Sequence, residues 1–414
     1  MGTIKYIFLA AYLLIFMFES LLKFLNLRHL RRYGNIVPQD FEGEIDEELL
    51  KKTRSYILEH SYFGYLESVF DLIVLIVFIF GGVLALYDSW IASFGLPFFL
   101  AGAAFFLLLS LASTILSLPF SLYSNFKIEN KYGFNTMTYK LWAQDLIKSL
   151  IISVLLTTII SIMAFAIIVA SPHFWWFWLW LFILGFGIFM MYVSPYVIEP
   201  LFHKFTPIAE EEMERNIREL MGKVKIKVSK VLVVDASKRS RHTNAYFTGI
   251  GRVKRIVLFD NLMKRMNQGE IIAILAHEAG HWKKKHVLKR MVVIELTSLL
   301  SLFISYWILQ GDVLISLFGI GSGSFFVKLI LLGFVGSILT FFVKPIGSFI
   351  SRRHESLADR FACEAIDDRK YLVDALVKLS KDNLSNLHPH PLYAFFYYSH
   401  PPIQQRLRKI VSFP

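Results

Sequence analysis

Seven apolar runs govern what this chain can become. They lie at about 4–22, 66–86, 94–118, 146–169, 174–197, 289–309 and 325–349. At 1.5 Å per residue each comes close to crossing the roughly 30 Å of hydrocarbon in a bilayer. A backbone in hydrocarbon must satisfy its own N–H and C=O groups, so runs of this length read as helices. The composition agrees: 55% of the 414 residues are hydrophobic, more apolar surface than a water-soluble fold needs. A polytopic membrane protein is predicted. The first run, behind Lys5, has the outline of a secretory signal. No small-x-small cleavage site follows and the run continues through Glu19, so it is expected to remain as the first span.

An odd number of spans puts the two ends of the chain on opposite sides. The connections near 87–93, 170–173 and 310–324 hold no Lys or Arg, whereas the alternate ones carry Arg28 to Arg54, Lys127 to Lys148, the whole of 200–288 and the tail from Arg352. The positive-inside rule then places the N-terminus outside and the C-terminal side in the cytoplasm. The formal charge of +12 is read the same way, as basic loops facing anionic headgroups and not as a nucleic-acid surface. Glu67, Asp71, Glu295, Lys328 and Lys344 fall inside the runs. A charge at mid-bilayer costs about 2.5–3.5 kcal/mol on insertion scales. Glu67, Asp71 and Lys344, close to predicted ends, are expected to snorkel or cap; Glu295 and Lys328 are better placed to face a hydrated interior.

Between the fifth and sixth runs stands Ala276-His277-Glu278-Ala279-Gly280-His281-Trp282, an H-E-x-x-H pattern. On a helix the two histidines share a face, able to grip one Zn²⁺, with Glu278 free to take a proton from water. Gln268 to Leu275 reads as an amphipathic helix running into the motif, the context this chemistry requires. The single cysteine, Cys363, rules out an intramolecular disulfide and a cysteine cluster, so His and carboxylate must hold any metal. Cys363 itself reads as a small packed thiol.

Around the motif, 201–288 is the first extramembrane region. Glu210 to Lys223 is a predicted amphipathic helix, and 231–234, 244–248 and 255–259 are short strands. Asn244, Ala245, Tyr246 and Phe247 suit an exposed edge that holds a substrate backbone as an added strand, or are an ordinary internal strand. A catalytic zinc also needs a third protein ligand. Glu355 and Asp359, four residues apart just after the seventh run, share a helix face. Glu355 is a candidate ligand and Asp359 a candidate acceptor for the outer N–H of a ligating histidine; the other reading pairs both with Arg352 and Arg353 in solvent. His286 and His354 are near in sequence but lie off the motif's face and are read as bystanders. Near the end, His400-Pro401-Pro402 opens a short helix carrying Arg406. The two side chains are able to polarise a scissile carbonyl, or are simply a turn and a surface cation.

In these stretches the chain resembles the type-1 CAAX prenyl proteases, the a-factor-converting integral membrane zinc metalloproteases. The likeness rests on Ser237 to Phe247 with Arg255 to Asp260, on the His277 motif, on Ser351 to Asp359 and on Tyr398 to Leu407. Leu118 to Ser121 and Glu199 to Pro207 add to it. The resemblance implies an all-α polytopic membrane protein, seven transmembrane helices around a hydrated chamber, with a cytoplasmic α+β gluzincin-like zinc protease domain. It implies one Zn²⁺ on His277, His281 and Glu355, Glu278 as base, Asn244 and the following strand on substrate, and His400 with Arg406 at the carbonyl oxygen. The expected organisation is spans 1–5 over 1–200, the first part of the protease over 201–288, spans 6–7 over 289–350 and the second part over 351–414.

Expected partners are the lipid bilayer and a peptide or membrane-protein substrate, including one with a prenylated C-terminus, with no nucleic acid. Gln405 departs from the Glu that the family commonly has before this Arg, which puts the anchoring of Arg406 in question. Short outer loops and a compact tail without a retrieval signal lean toward a prokaryotic or minimal member, in a bacterial inner membrane or the endoplasmic reticulum. In a host without prenylation, quality control of membrane proteins or clearing of blocked translocons is the alternative task. Two rivals remain at this point. An intramembrane protease of the site-2 type would bury the motif in a span, whereas Lys283, Lys284 and Lys285 follow it here. A zinc-stabilised channel or chaperone would use the chamber and not the chemistry.

Overall fold

The computed structural model describes residues 4–249, 255–321 and 323–413. Seven of its helices are long and apolar enough to cross a membrane. In chain order the first elements are α1 (Ile4–Tyr33), α2 (Glu47–Phe80), α3 (Val83–Ala92), α4 (Phe98–Tyr132), α5 (Tyr139–Ala170) and α6 (Trp175–Phe202). Then come β1 (Phe205–Pro207), α7 (Glu211–Lys223), β2 (Lys230–Val234), β3 (Ala245–Thr248), β4 (Arg255–Phe259), α8 (Asp260–Arg265) and α9 (Gln268–Lys283). The chain finishes with α10 (His286–Leu309), α11 (Val313–Phe318), α12 (Phe325–Ala365), α13 (Lys370–Asp382), α14 (Pro391–Tyr397) and α15 (Ile403–Ser412).

The seven spans are the seven apolar runs, but they extend well past them at the basic side. Once a helix has left hydrocarbon nothing in its sequence ends it until a breaker appears, so α2 begins at Glu47, on an Asp46 cap, and α12 runs on to Ala365. At the other end α2 stops early. Gly82 takes a left-handed φ of 84°, and 83–92, counted partly with the second run above, forms the separate helix α3. Helices α4 and α6 each pass through a π-helical turn, Ser124–Glu129 and Ser194–Ile198.

Around the bundle α1 touches α2, α2 touches the end of α4, and contact then passes through α5, α6, α10 and α12 back to α1. The spans thus close a ring. Seven helices spaced about 9 Å apart enclose a lumen roughly 10 Å wide. Burial agrees with an open interior: in no span is more than 22% of the most apolar window buried. An aromatic cluster that includes Phe105, Phe165, Trp175, Phe318, Phe326 and Phe334, with Leu84 of α3 and Leu314 of α11, closes the end of the ring away from the basic connections, the outer end on the positive-inside reading.

The basic end is closed by a second core. It gathers α7, α9, α13 and the sheet, and takes in Phe41 and Ile45 from the connection between α1 and α2 and Leu50 from the first turn of α2. The sheet order is β1-β2-β4-β3; β2 and β4 run parallel and the outer pairs antiparallel. The predicted strands at 231–234, 244–248 and 255–259 are all present, and Phe205–Pro207 adds a fourth whose proline sits where only an edge strand tolerates one.

Two expectations about charged residues need correction. Lys328 does not face mid-chamber: it is in the first turn of α12 and pairs with exposed Asp312 at 2.7 Å, at the outer end. Lys344 is not at a helix end, because α12 continues far beyond it. It lies 3.4 Å from Glu19 of α1 and over the Tyr397 ring at 4.3 Å, a cross-helix pair where a snorkelling cation was expected. For Glu295, Oε2 is buried and no described residue hydrogen-bonds to it.

The outer closure depends on Gly102 of α4, where a Cβ would overlap the ring of Phe165 and come within 2.7 Å of Phe326. Overpacking of this kind costs about 1–3 kcal/mol. Gly102→Ala is therefore expected to lower the melting temperature in detergent, with unchanged secondary structure; an unaltered melt would show that the aromatic cluster does not clamp the ring.

Candidate active site and metal centre

The motif helix α9 starts on a reciprocal cap. Asn267 Oδ1 accepts from Glu270 N at 2.9 Å, and Glu270 Oε2 accepts from Asn267 N at 2.9 Å. Such a cap is worth about 1 kcal/mol. The helix ends at Lys284 and Lys285, the latter in a left-handed conformation with φ of 57°, before α10 begins. The motif therefore sits on its own helix, separate from the seven candidate spans, whereas the intramembrane reading requires it inside one.

Helix α9 lies against the inner extension of α12, and the fit is tightest at Gly280. A Cβ there would stand 3.0 Å from Ala358 Cα and 3.1 Å from Ala358 O. Lacking one, the helices approach until Glu355 meets both histidines. His277 Nε2 lies 3.2 Å from His281 Nε2 and 3.4 Å from Glu355 Oε2, and His281 Nε2 lies 3.2 Å from Glu355 Oε1.

This triangle fits a metal ion. Tetrahedral coordination with bonds of about 2.0–2.1 Å puts neighbouring donor atoms about 3.3 Å apart. Glu355 Oε2, moreover, is buried with no hydrogen bond from the described residues, the orphan oxygen that a cation would satisfy. His277, His281 and Glu355 hold their donor atoms within 4.8 Å of one another.

Outside the triangle, His277 Nδ1 lies 2.8 Å from Asp359 Oδ1. Arg406 of α15 forks onto the same carboxylate, Nε to Oδ2 at 2.9 Å and Nη2 to Oδ1 at 2.6 Å, and stands 3.9 Å from Glu355 Oε2. Gln405 thus leaves Arg406 anchored by Asp359. His400 brings Nε2 to 3.3 Å from Glu355 Oε1 and keeps much of its ring exposed. His400, Arg406 and Asn244 line one cavity of about 660 Å³ beside the triangle. Helix α9 also touches β3, an outer strand of the sheet. Ala245 and Phe247 pack into the main core, while Tyr246 turns to the other face and donates to Glu199 Oε2 at 3.1 Å. Only the backbone edge of β3 is left to offer a ligand.

A family model of the CAAX prenyl protease N-terminal region, with five membrane helices, matches residues 26–204, and that of peptidase family M48 matches 207–413. The chain is 34% identical over 420 residues to CAAX prenyl protease 1 of Saccharomyces cerevisiae, covering 95% of this chain and 92% of that protein. The corresponding values for the Arabidopsis thaliana homolog are 33% over 418 residues, with 96% and 95% covered. It also superposes on the crystal structure of S. mikatae Ste24p with a TM-score of 0.91 at 32% identity, over 98% of this chain and 99% of that one. The chain belongs to the CAAX prenyl protease 1 family. As a member it is a multi-pass membrane metalloendopeptidase of the CAAX protease type, and its metal is a cofactor of the peptidase.

In this CAAX-type peptidase the sequence reading passed over His286. Its Nδ1 lies 3.1 Å from His281 Nδ1, its ring stacks on His354 at 4.0 Å and 9°, and it is 4% exposed. The two motif histidines are thus supported differently, His277 by a carboxylate and His281 by a neutral ring. If Nε2 of His281 faces the metal, its Nδ1–H donates to His286, whose proton then rests on Nε2. The signal was present as H-x-x-x-x-H from His281 to His286, but helical face-counting discards a spacing of five, and only the left-handed turn at Lys285 brings the second ring back to the first. Outer partners of metal ligands typically contribute 10–100-fold in affinity. His286→Phe, which keeps the stack, should weaken metal binding by about that factor in a chelator competition, with His286→Asn restoring part of it; equal affinity in the Phe variant would leave His286 without a part.

Burial works against the imidazolium of His277, but the adjacent carboxylates of Asp359 and Glu355 prevail and carry its pKa up to about 9 when no metal is bound. A metal must displace that proton. Apparent affinity should therefore rise about tenfold per pH unit up to pH ~9 and flatten above it, from this proton alone. A pH-independent affinity between pH 6 and 8 in metal-buffer titrations would contradict the coupling.

Proposed function

We propose that the chain is a zinc endopeptidase that cuts a substrate backbone laid along β3, using His277, His281 and Glu355 to hold one Zn²⁺ and Glu278 as the base. The observation that carries this is the triangle of donor atoms at 3.2–3.4 Å, with Glu278 on the same helix. Bound zinc supplies Lewis-acid polarisation of the peptide carbonyl and makes water more acidic. Glu278 takes the proton of the attacking water and passes it to the leaving amine. Burial raises its pKa above the ordinary carboxylate value, against the opposing pull of His277 and His281, which makes it a stronger base.

His400 has its pKa lowered, first by burial, against the opposing charge of Glu355. That shift favours the neutral ring, which offers an N–H to the developing oxyanion. Arg406, held on Asp359, adds positive charge at the cavity wall. Asn244 and the free edge of Ala245 to Phe247 bind the substrate main chain.

We further propose that the substrate carries hydrocarbon. A second pocket of about 410 Å³, lined by Ile188, Met191, Tyr192, Trp282 and Leu288, reaches His281 between α6 and α10. Its size lies within the range of ligand sites and its walls suit a prenyl chain. The site faces the cytoplasm in this reading, because the basic connections lie at its end of the ring.

Glu278→Gln should lower cleavage by about a thousandfold or more, beyond the lower range for acid–base catalysis, with metal content unchanged. Assayed on a farnesylated C-terminal peptide and its unprenylated twin, the parent enzyme should prefer the first and lose both activities to a chelator. Persistent cleavage by the variant sinks the assignment of the base, and equal rates on the twins sink the lipid preference.

A further inference from the structure

On the far side of the sheet from the metal centre, a cavity of about 590 Å³ opens where α5 begins, α6 ends and β1 starts. Arg255, the first residue of β4, forms part of its lining and is only 8% exposed. Its position follows from a backbone defect. In the π-helical turn of α6, Glu199 N–H donates to Ser194 O, and Pro200 has no N–H, so Pro195 O has no donor within its helix. Arg255 Nη2 donates to that oxygen at 2.8 Å, and the guanidinium lies over the Tyr196 ring at 3.9 Å.

That accounts for one of its N–H groups and none of its charge. Nε is buried with no hydrogen bond, and no carboxylate of the described residues lies within ion-pair distance of Arg255. The other walls are basic too. Arg239 is taken up by Asp145 at 2.8 Å and Lys238 by Asp235 at 2.7 Å, while Lys204 has no carboxylate partner among the described residues. Lys148, beside the cavity, donates to Leu201 O at 2.7 Å and stands 3.9 Å from Asp145, which Arg239 already holds. Five cations, Lys148, Lys204, Lys238, Arg239 and Arg255, thus face three carboxylates, Asp145, Asp235 and Glu199, the last already held by Tyr246. A buried guanidinium without a counter-charge is costly, and a bound anion removes the cost.

We propose that this cavity binds a phosphate group, and that its place at the bilayer surface, with exposed Leu201, Val197 and Tyr139 around it, makes the phosphate that of an acidic phospholipid. Since β4 pairs with β3, a headgroup on Arg255 fixes the height of the sheet edge above the membrane. The site is separate from the metal triangle, and its test does not involve cleavage.

The purified full-length protein is examined by native mass spectrometry in detergent with phosphatidylglycerol, phosphatidylcholine or inorganic phosphate. One phosphatidylglycerol should be retained in preference to phosphatidylcholine, and the surface double variant Lys204→Ala/Lys238→Ala should bind it about tenfold more weakly. Arg255→Gln should abolish retention; should that variant fail to fold, the double variant decides alone. Competition by millimolar inorganic phosphate would support the phosphate site and assign it to a free ion. Retention that is indifferent to headgroup, or unchanged in the double variant, overturns the proposal.

Discussion

The approach of α9 to α12 at Gly280 and Ala358 is the contact on which the rest of the site depends. Two helices with ordinary side chains at that point would stand apart by the thickness of a methyl group or more, and an interaction built on atoms 3.2–3.4 Å apart does not survive such a shift. The contact is also where membrane and peptidase meet. Helix α12 is continuous from Phe325 to Ala365, through Pro345, so a single helix carries both the outer aromatic closure and Glu355. A ring of spans with an open interior has few contacts to define its shape, and a helix that belongs to both halves supplies the missing definition.

Much of this was legible before the structure. Apolar run length gave the seven spans, the motif spacing gave the histidine pair, and the i, i+4 spacing of Glu355 and Asp359 gave two carboxylates on one face. Those are local properties, fixed by helical geometry, and they survive in any tertiary context. What could not be read was where helices stop and which non-local groups meet. Lys344 looked like an end residue because hydropathy ends near it, yet the helix does not. The part of His286 depends on a left-handed residue at Lys285, and no periodicity argument crosses such a turn. Phe205–Pro207 was too short and too proline-bound to read as a strand without its partner Leu232–Val234.

The sheet shows the same division of labour. Its three longer strands were visible as apolar runs, but the order β1-β2-β4-β3, which leaves β3 at an edge, is a topological fact. The side chains of Ala245, Tyr246 and Phe247 are all spent on packing or on Glu199. On the proposed reading, recognition there falls to the main chain, which suits an endopeptidase that must accept varied side chains and still hold the scissile bond in register.

Charge balance ties the outer residues to the inner ones. Glu278, Glu355 and Asp359 bring three negative charges into a buried space, and Arg406 returns one. A site left with two uncompensated charges draws in whatever positive charge is available, and His277 accordingly holds a proton up to a pH of about 9. A divalent ion held there would bring the sum to zero and make that proton unnecessary. On the proposed zinc assignment, Arg406 and Asp359 act through the metal's environment: the guanidinium keeps Asp359 ionised, Asp359 holds the Nδ1 proton on His277, and the Nε2 lone pair would be left for the metal. A lysine at position 406 would supply the charge but not the two-pronged contact that fixes the plane of the carboxylate, so the proton on His277 would be less firmly placed.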